Sequence, residues 1–155
     1  MADTDSQLLS DIRLRLEQAR LRPVYAVDRD ERRVTLRDRS RVLMDLGRVT
    51  GRNNLEQAII LRLLTPRGEL APLGHADYGS RIHELIGQPN TENTRNRMRL
   101  FILEALQLER RIAELVEVTV SEGVGGRNLV NVRLRVRPID QGEIFDIGPL
   151  TFELT

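Results

Sequence analysis

The chain has 155 residues, no cysteine, and a formal net charge of only +1 against 23 acidic residues. A chain of this length suits one domain that buries roughly 68–70% of its unfolded surface, and without cysteine it holds no disulfide, zinc–thiolate site or cysteine nucleophile. Near-neutral charge and 3% aromatic residues also argue against a dedicated nucleic-acid binder, which needs a basic field or stacking platforms.

Every basic residue is arginine. Codon usage in a GC-rich genome explains that without any function; the functional explanation is that the planar guanidinium suits interface ion pairs better than an ammonium does. No apolar run approaches the roughly 18 residues of a membrane helix, and Asp3 and Asp5 stand where a targeting signal carries basic residues. The expectation is assembly in the cytoplasm, with no membrane insertion.

Residues 6–20 predict an amphipathic helix, with Leu8, Leu9, Ile12, Leu16 and Ala19 on one side and Asp11, Arg13, Glu17, Gln18 and Arg20 largely on the other. It packs on the core or serves as an arm on a neighbouring subunit. Residues 24–27 and 33–36 predict two short strands joined by a charged turn over 28–31. The stretch 37–52 is ambiguous, with extended pieces at 42–44 or 46–49. Residues 1–52 therefore form an N-terminal extension to a domain over 53–155.

That domain starts with a helix capped by Asn53 or Asn54. Leu55, Ala58, Ile59, Arg62 and Leu63 fall at helical spacing, and Thr65-Pro66-Arg67-Gly68 ends the run. Two prolines and three glycines between Pro66 and Gly79 predict an ordered loop. A turn or two of helix follows to Ile86, closed by Gly87. A long helix is then capped by Asn90 or Thr91 and runs to Gln107 or Arg111, apolar over most of its circumference and packed on more than one side.

After it the period changes to two. Val116, Val118 and Val120 alternate with Glu117, Thr119 and Ser121; Val130, Val132, Leu134 and Val136 alternate with Asn131, Arg133, Arg135 and Arg137; Leu150, Phe152 and Leu154 alternate with Thr151, Glu153 and Thr155. Short turns between them predict a three-stranded antiparallel meander packed on the long helix, so the fold class is α+β. Gly148-Pro149 is expected to separate the last strand from the segment before it.

Several motifs in this order resemble the baseplate assembly protein W family, small wedge proteins of contractile phage tails and related injection machines. They are Leu61-Arg62-Leu63-Leu64-Thr65-Pro66-Arg67-Gly68-Glu69, Asp77-Tyr78-Gly79-Ser80, Pro89-Asn90, Glu109-Arg110-Arg111-Ile112 and Val116-Glu117-Val118. The resemblance spans roughly the last two-thirds of the chain. The family carries Glu-Pro-Arg at the end of the long helix; here Arg110 replaces the proline, which removes the signal for a sharp helix stop.

The resemblance implies a non-enzymatic structural subunit that joins larger wedge proteins in a six-fold array around the tail hub and meets the first sheath ring. It also implies an assembly contact at Glu109 and Arg111, extended by Arg110, and a strand shared with sheath through 150–154, that is Leu150, Thr151, Phe152, Glu153 and Leu154. The arginine row Arg133, Arg135 and Arg137 has two readings: ion pairing to Glu117 and Glu153 on a wet sheet face, or docking of an acidic partner.

Catalysis finds no positive signal. His75, Asp77, His83 and Glu84 match no metal-ligand spacing, and Glu104 and Glu109 can be nominated for hydrolysis, though acidic residues on helices are mostly solvated. No cofactor is indicated. A lysozyme-like label carried by some family members keeps a peptidoglycan-cleaving enzyme as the alternative, beside a stand-alone protein-interaction module.

Overall fold

Two helices and a three-stranded antiparallel sheet enclose one core, giving the α+β class expected. The computed structural model describes residues 8–16, 26–36, 39–140 and 142–154. In chain order the elements are β1 (Ser10–Ile12), β2 (Arg29–Leu36), β3 (Arg39–Leu46), β4 (Arg48–Thr50), α1 (Gly51–Leu64), α2 (Glu92–Leu106), β5 (Ile112–Glu122), β6 (Leu129–Pro138) and β7 (Phe145–Glu153). Single 3₁₀ turns lie at Ala71–Leu73 and Ile82–Leu85.

Helix α2 is the central element. Thr91 caps it, its Oγ1 accepting a bond from the Thr94 N–H at 3.3 Å, and Glu92 places a carboxylate at the positive helix end. Met98, Phe101, Ile102, Ala105 and Leu106 are buried against the sheet, α1 and the second 3₁₀ turn. The apolar circumference is not all used: Leu100 is 53% exposed.

The sheet order is β5-β6-β7. On β6 the period-two pattern is followed closely, with Val130, Val132, Leu134 and Val136 fully buried and the intervening arginines outside. On β5 the expected parity holds at Val118 and Val120 and fails at Val116. A register shift between Leu115 and Glu117 moves Leu115 toward the core and leaves Val116 exposed, because a bulge inserts a residue and flips the faces beyond it.

Strand β7 begins earlier than expected and runs through Gly148-Pro149. Val132 pairs with Leu150 and Leu134 with Ile147, so Gly148 and Pro149 together oppose Arg133. A proline, which has no N–H for the ladder, is accommodated at such a bulge.

Helix α1 begins at Gly51, before the two asparagines expected to cap it. Asn54 is buried and its side chain donates to the Leu8 carbonyl at 2.8 Å, so it fastens the N-terminal segment instead of the helix end. Thr65 closes α1, its N–H and hydroxyl both donating to the Leu61 carbonyl.

The helix expected over 6–20 is corrected across its described part, 8–16. β1 pairs antiparallel with β4, Leu14 bridges Val27, and Arg13 N–H donates to the Gly47 carbonyl at 2.7 Å. Gln57 of α1 completes the pairing, accepting from Leu14 N–H and donating to the Ile12 carbonyl. Leu8 joins the main core. Tertiary pairing overrides the helical spacing here. Residues 6, 7 and 17–20 of that expectation lie outside the described residues, as do 24 and 25 of the first short strand.

The charged stretch expected to turn at 28–31 is instead mostly strand. Over Arg29–Leu36, β2 pairs antiparallel with β3, Arg29 opposite Leu46 and Leu36 opposite Arg39. Arg13 holds the base of this hairpin through ion pairs to Asp28 and Asp30. The described part of the ambiguous stretch, 39–52, holds β3, β4 and the start of α1, and 37 and 38 lie outside the described residues.

Candidate functional site

Two places concentrate the residues singled out by sequence. The first is the turn between α2 and β5. Helix α2 stops at Leu106 without a proline, since Gln107 N–H donates to Leu103, Glu109 N–H to Leu106 and Ile112 N–H to Glu109. This tight turn carries Glu109 inward, where it is only 8% exposed. Its Oε1 accepts from Arg111 Nε at 2.8 Å and from Arg111 N–H at 3.3 Å, and its Oε2 from Arg111 Nη2 at 3.1 Å. Arg62 Nη2 lies 3.5 Å from the same Oε2.

Arg62 comes from the buried stripe of α1, beside Ile59 and Leu63, and is 9% exposed. The Tyr78 ring covers its guanidinium at 4.5 Å. Tyr78 is held there by a closed loop: Ser80 N–H donates to Thr65, Arg67 N–H to Ser80, and Ser80 Oγ to the Leu63 carbonyl. Gly79 makes that closure possible. Its φ is +104°, and a Cβ there would stand 2.5 Å from the Thr65 carbonyl oxygen.

The electrostatics follow from this packing. Burial pushes the Glu109 carboxyl up, but the Arg111 hydrogen bonds and charge, with Arg62 behind them, outweigh burial and hold it below its ordinary value. Burial pushes the Tyr78 phenol up. Two guanidiniums share one carboxylate, and Arg62 Nε is buried without a hydrogen-bond partner among the described residues. Of the expected trio, then, Glu109 turns inward, Arg111 clamps it, and Arg110 is exposed.

The second place is the outer face of the sheet and its β7 edge. Arg133, Arg135 and Arg137 do share the exposed face of β6. Arg135 lies 3.2 Å from Asp146 and 3.7 Å from Glu117, and Arg137 pairs with Glu114. Arg133 makes no ion pair among the described residues. Beside the β7 bulge this face is hollowed into a groove of about 590 Å³ lined by Glu117, Thr119, Arg133, Arg135 and Asp146.

The residues expected on the last strand divide by atom type. Leu150, Phe152 and Leu154 are buried in the core, and Thr151 and Glu153 lie on the other face. Leu154 N–H donates to Asn128, while the Leu129 carbonyl is taken by Gly123 on the far side of β6. Because ladder bonds alternate, Phe152 faces β6, and the backbone groups of Thr151 and Glu153 point away from it. Among the described residues no strand pairs with that side of β7.

The remaining candidates do not converge. Glu84 makes a two-pronged ion pair with Arg81, Asp77 lies 3.5 Å from Arg67, and His83 Nδ1 is 3.2 Å from the Ser80 carbonyl oxygen. Among the described residues no three His, Asp or Glu side chains are grouped to hold a metal ion. Glu104 lies 3.8 Å from Arg81. Sequence reasoning missed Arg62 and Tyr78 as parts of the site. The signal for Arg62 was present: a charge within an otherwise apolar helical stripe.

Fold and site together define a small α+β domain with a buried ion-pair node and, among the described residues, a β7 edge that no strand pairs. Among solved structures, the crystal structure of a "putative tail lysozyme" from Geobacter sulfurreducens is similar in fold, with a TM-score of 0.56 and 26% sequence identity over 66% of this chain and 89% of that one. No family model and no curated protein matches the chain. No helix among the described residues is long and apolar enough to cross a membrane.

Proposed function

We propose that this chain is a structural baseplate subunit of a contractile tail or tail-like injection particle. It links larger wedge proteins, arrayed six-fold around the tail hub, to the first sheath ring. The fold likeness to a tail-named protein supports the tail setting. The observation that carries the linking role is the edge of β7. Its apolar side chains are committed to the core, while the Thr151 backbone groups point away from β6. An edge of this kind is blocked by charge and proline or used for strand addition. Here the proline sits at the bulge, before Thr151, whose outward backbone groups are offered to an added strand.

A Thr151→Pro variant tests this reading. It removes the outward amide and keeps the apolar face, and Thr151→Ala controls for the lost hydroxyl bond to Asn131. The proline variant should fold and fail to attach sheath, while the alanine variant attaches it. Normal sheath assembly on a folded Thr151→Pro subunit would end the proposal.

The name of the similar structure favours a second reading, cleavage of peptidoglycan. A general acid needs a carboxyl held above its ordinary value, and Glu109 is held below it by two arginines. Glu104 remains as the residue to test. Release of cell-wall fragments by the purified chain, lost in Glu104→Gln, would replace the structural reading with the enzymatic one.

A further inference from the structure

Beside the buried node lies a cleft of about 370 Å³, walled by Arg62, His75, Asp77, Tyr78, Leu108 and Arg110. Its charges do not balance. Inside, Arg62 and Arg111 share the single carboxylate of Glu109, so the node keeps one positive charge. Arg62 engages Glu109 only at 3.5 Å, and its buried Nε has no partner among the described residues. At the rim Arg110 is exposed and adds a second cation. Asp77 does not neutralise them, for its side chain is 83% exposed and lies beside Arg67. A buried guanidinium left with an unbonded N–H is costly, and planar guanidiniums match a carboxylate better than any other common group.

We propose that this cleft receives a carboxylate carried by a partner protein, an Asp or Glu side chain or a chain terminus, with Arg62 and Arg110 as its cationic wall. Leu108, at the lip of the cleft and 46% exposed, supplies the apolar rim that such a contact covers. The groups that meet the partner are thus Arg62 and Arg110, not Glu109, whose carboxylate is consumed inside the chain. This names the chemistry of a partner and rests on the reading of the chain as a subunit of an assembly. The test uses the isolated chain, so its failure leaves the β7 reading standing.

Arg110→Glu supplies the missing anion in cis. It should raise the melting temperature above that of Arg110→Gln by about 2–4 °C, the shift of a modest new ion pair in a domain of this size, and the gain should shrink in high salt. Arg99→Glu, on the exposed face of α2, controls for the equal change in net charge. In the native chain, Ac-Glu-NH2 at tens of millimolar should shift the Arg62 Nε–Hε resonance saturably, and Ac-Gln-NH2 should not. Arg110→Glu should abolish that response. A melting temperature for Arg110→Glu no higher than for Arg110→Gln overturns the proposal, and so does an equal or absent response to the two probes.

Discussion

Glu109 and Glu117 are the same residue type, each close to arginine, and they sit in opposite regimes. Glu109 is sealed under α1 with Arg62 and Arg111, while the Glu117 side chain is half exposed beside Arg135. Removing one member of a buried ion cluster leaves the others poorly solvated and uncompensated; removing one member of a wet pair lets water replace it. Position relative to the core, more than the identity of the charges, decides which ion pairs hold the fold and which contribute little to it.

The largest effect should come from Glu109→Ala. It leaves the buried Arg62 and the partly buried Arg111 guanidiniums without their shared anion, and urea denaturation should report a loss of about 3–5 kcal/mol. A loss near that of a surface pair would erase the contrast. This variant is therefore unsuitable for testing assembly, because the fold suffers first.

A smaller effect follows from pH. The folded Glu109 carboxyl lies below its ordinary value of 4.5, so its stabilisation is fully present above that value and is lost as pH falls through the folded one. The native chain should lose stability as the solution is acidified below about pH 4.5, and Glu109→Gln should lack that part of the dependence. Parallel acid curves for the two proteins would contradict the assignment.

On the sheet face, Arg135→Gln and Arg137→Gln should each change stability by about 0.2–1 kcal/mol, with the change reduced further at high salt. Either one costing as much as Glu109→Ala would mean that the face is covered, not wet.

How far the sequence reveals these differences depends on what each segment pairs with. The α+β class, the cap at Thr91 and the inward row of β6 are legible because local pattern and tertiary burial agree there. Residues 8–16 mislead because Leu8, Ile12 and Leu16 carry helical spacing, yet their backbone is claimed by β4, Gly47 and the Gln57 side chain. The charges of 29–31 read as a turn, and cross-strand pairing makes them strand.

The candidate site is legible by name and not by direction. The Glu109–Arg110–Arg111 run is visible in the sequence, but which of its side chains turns inward depends on Arg62 and Tyr78, distant in the chain. The β5 bulge likewise has no signature in the alternation of Val116, Val118 and Val120.

The central claim is that the β7 edge accepts a strand from a neighbouring subunit. Amide hydrogen exchange at Thr151 tests it without any substitution. In the isolated chain this amide, pointing away from β6, should exchange quickly while that of Phe152, which faces β6, is protected. In intact baseplate–sheath particles both should be protected, the Thr151 amide slowed to the level of its neighbour. A Thr151 amide that still exchanges quickly within intact particles would contradict the account.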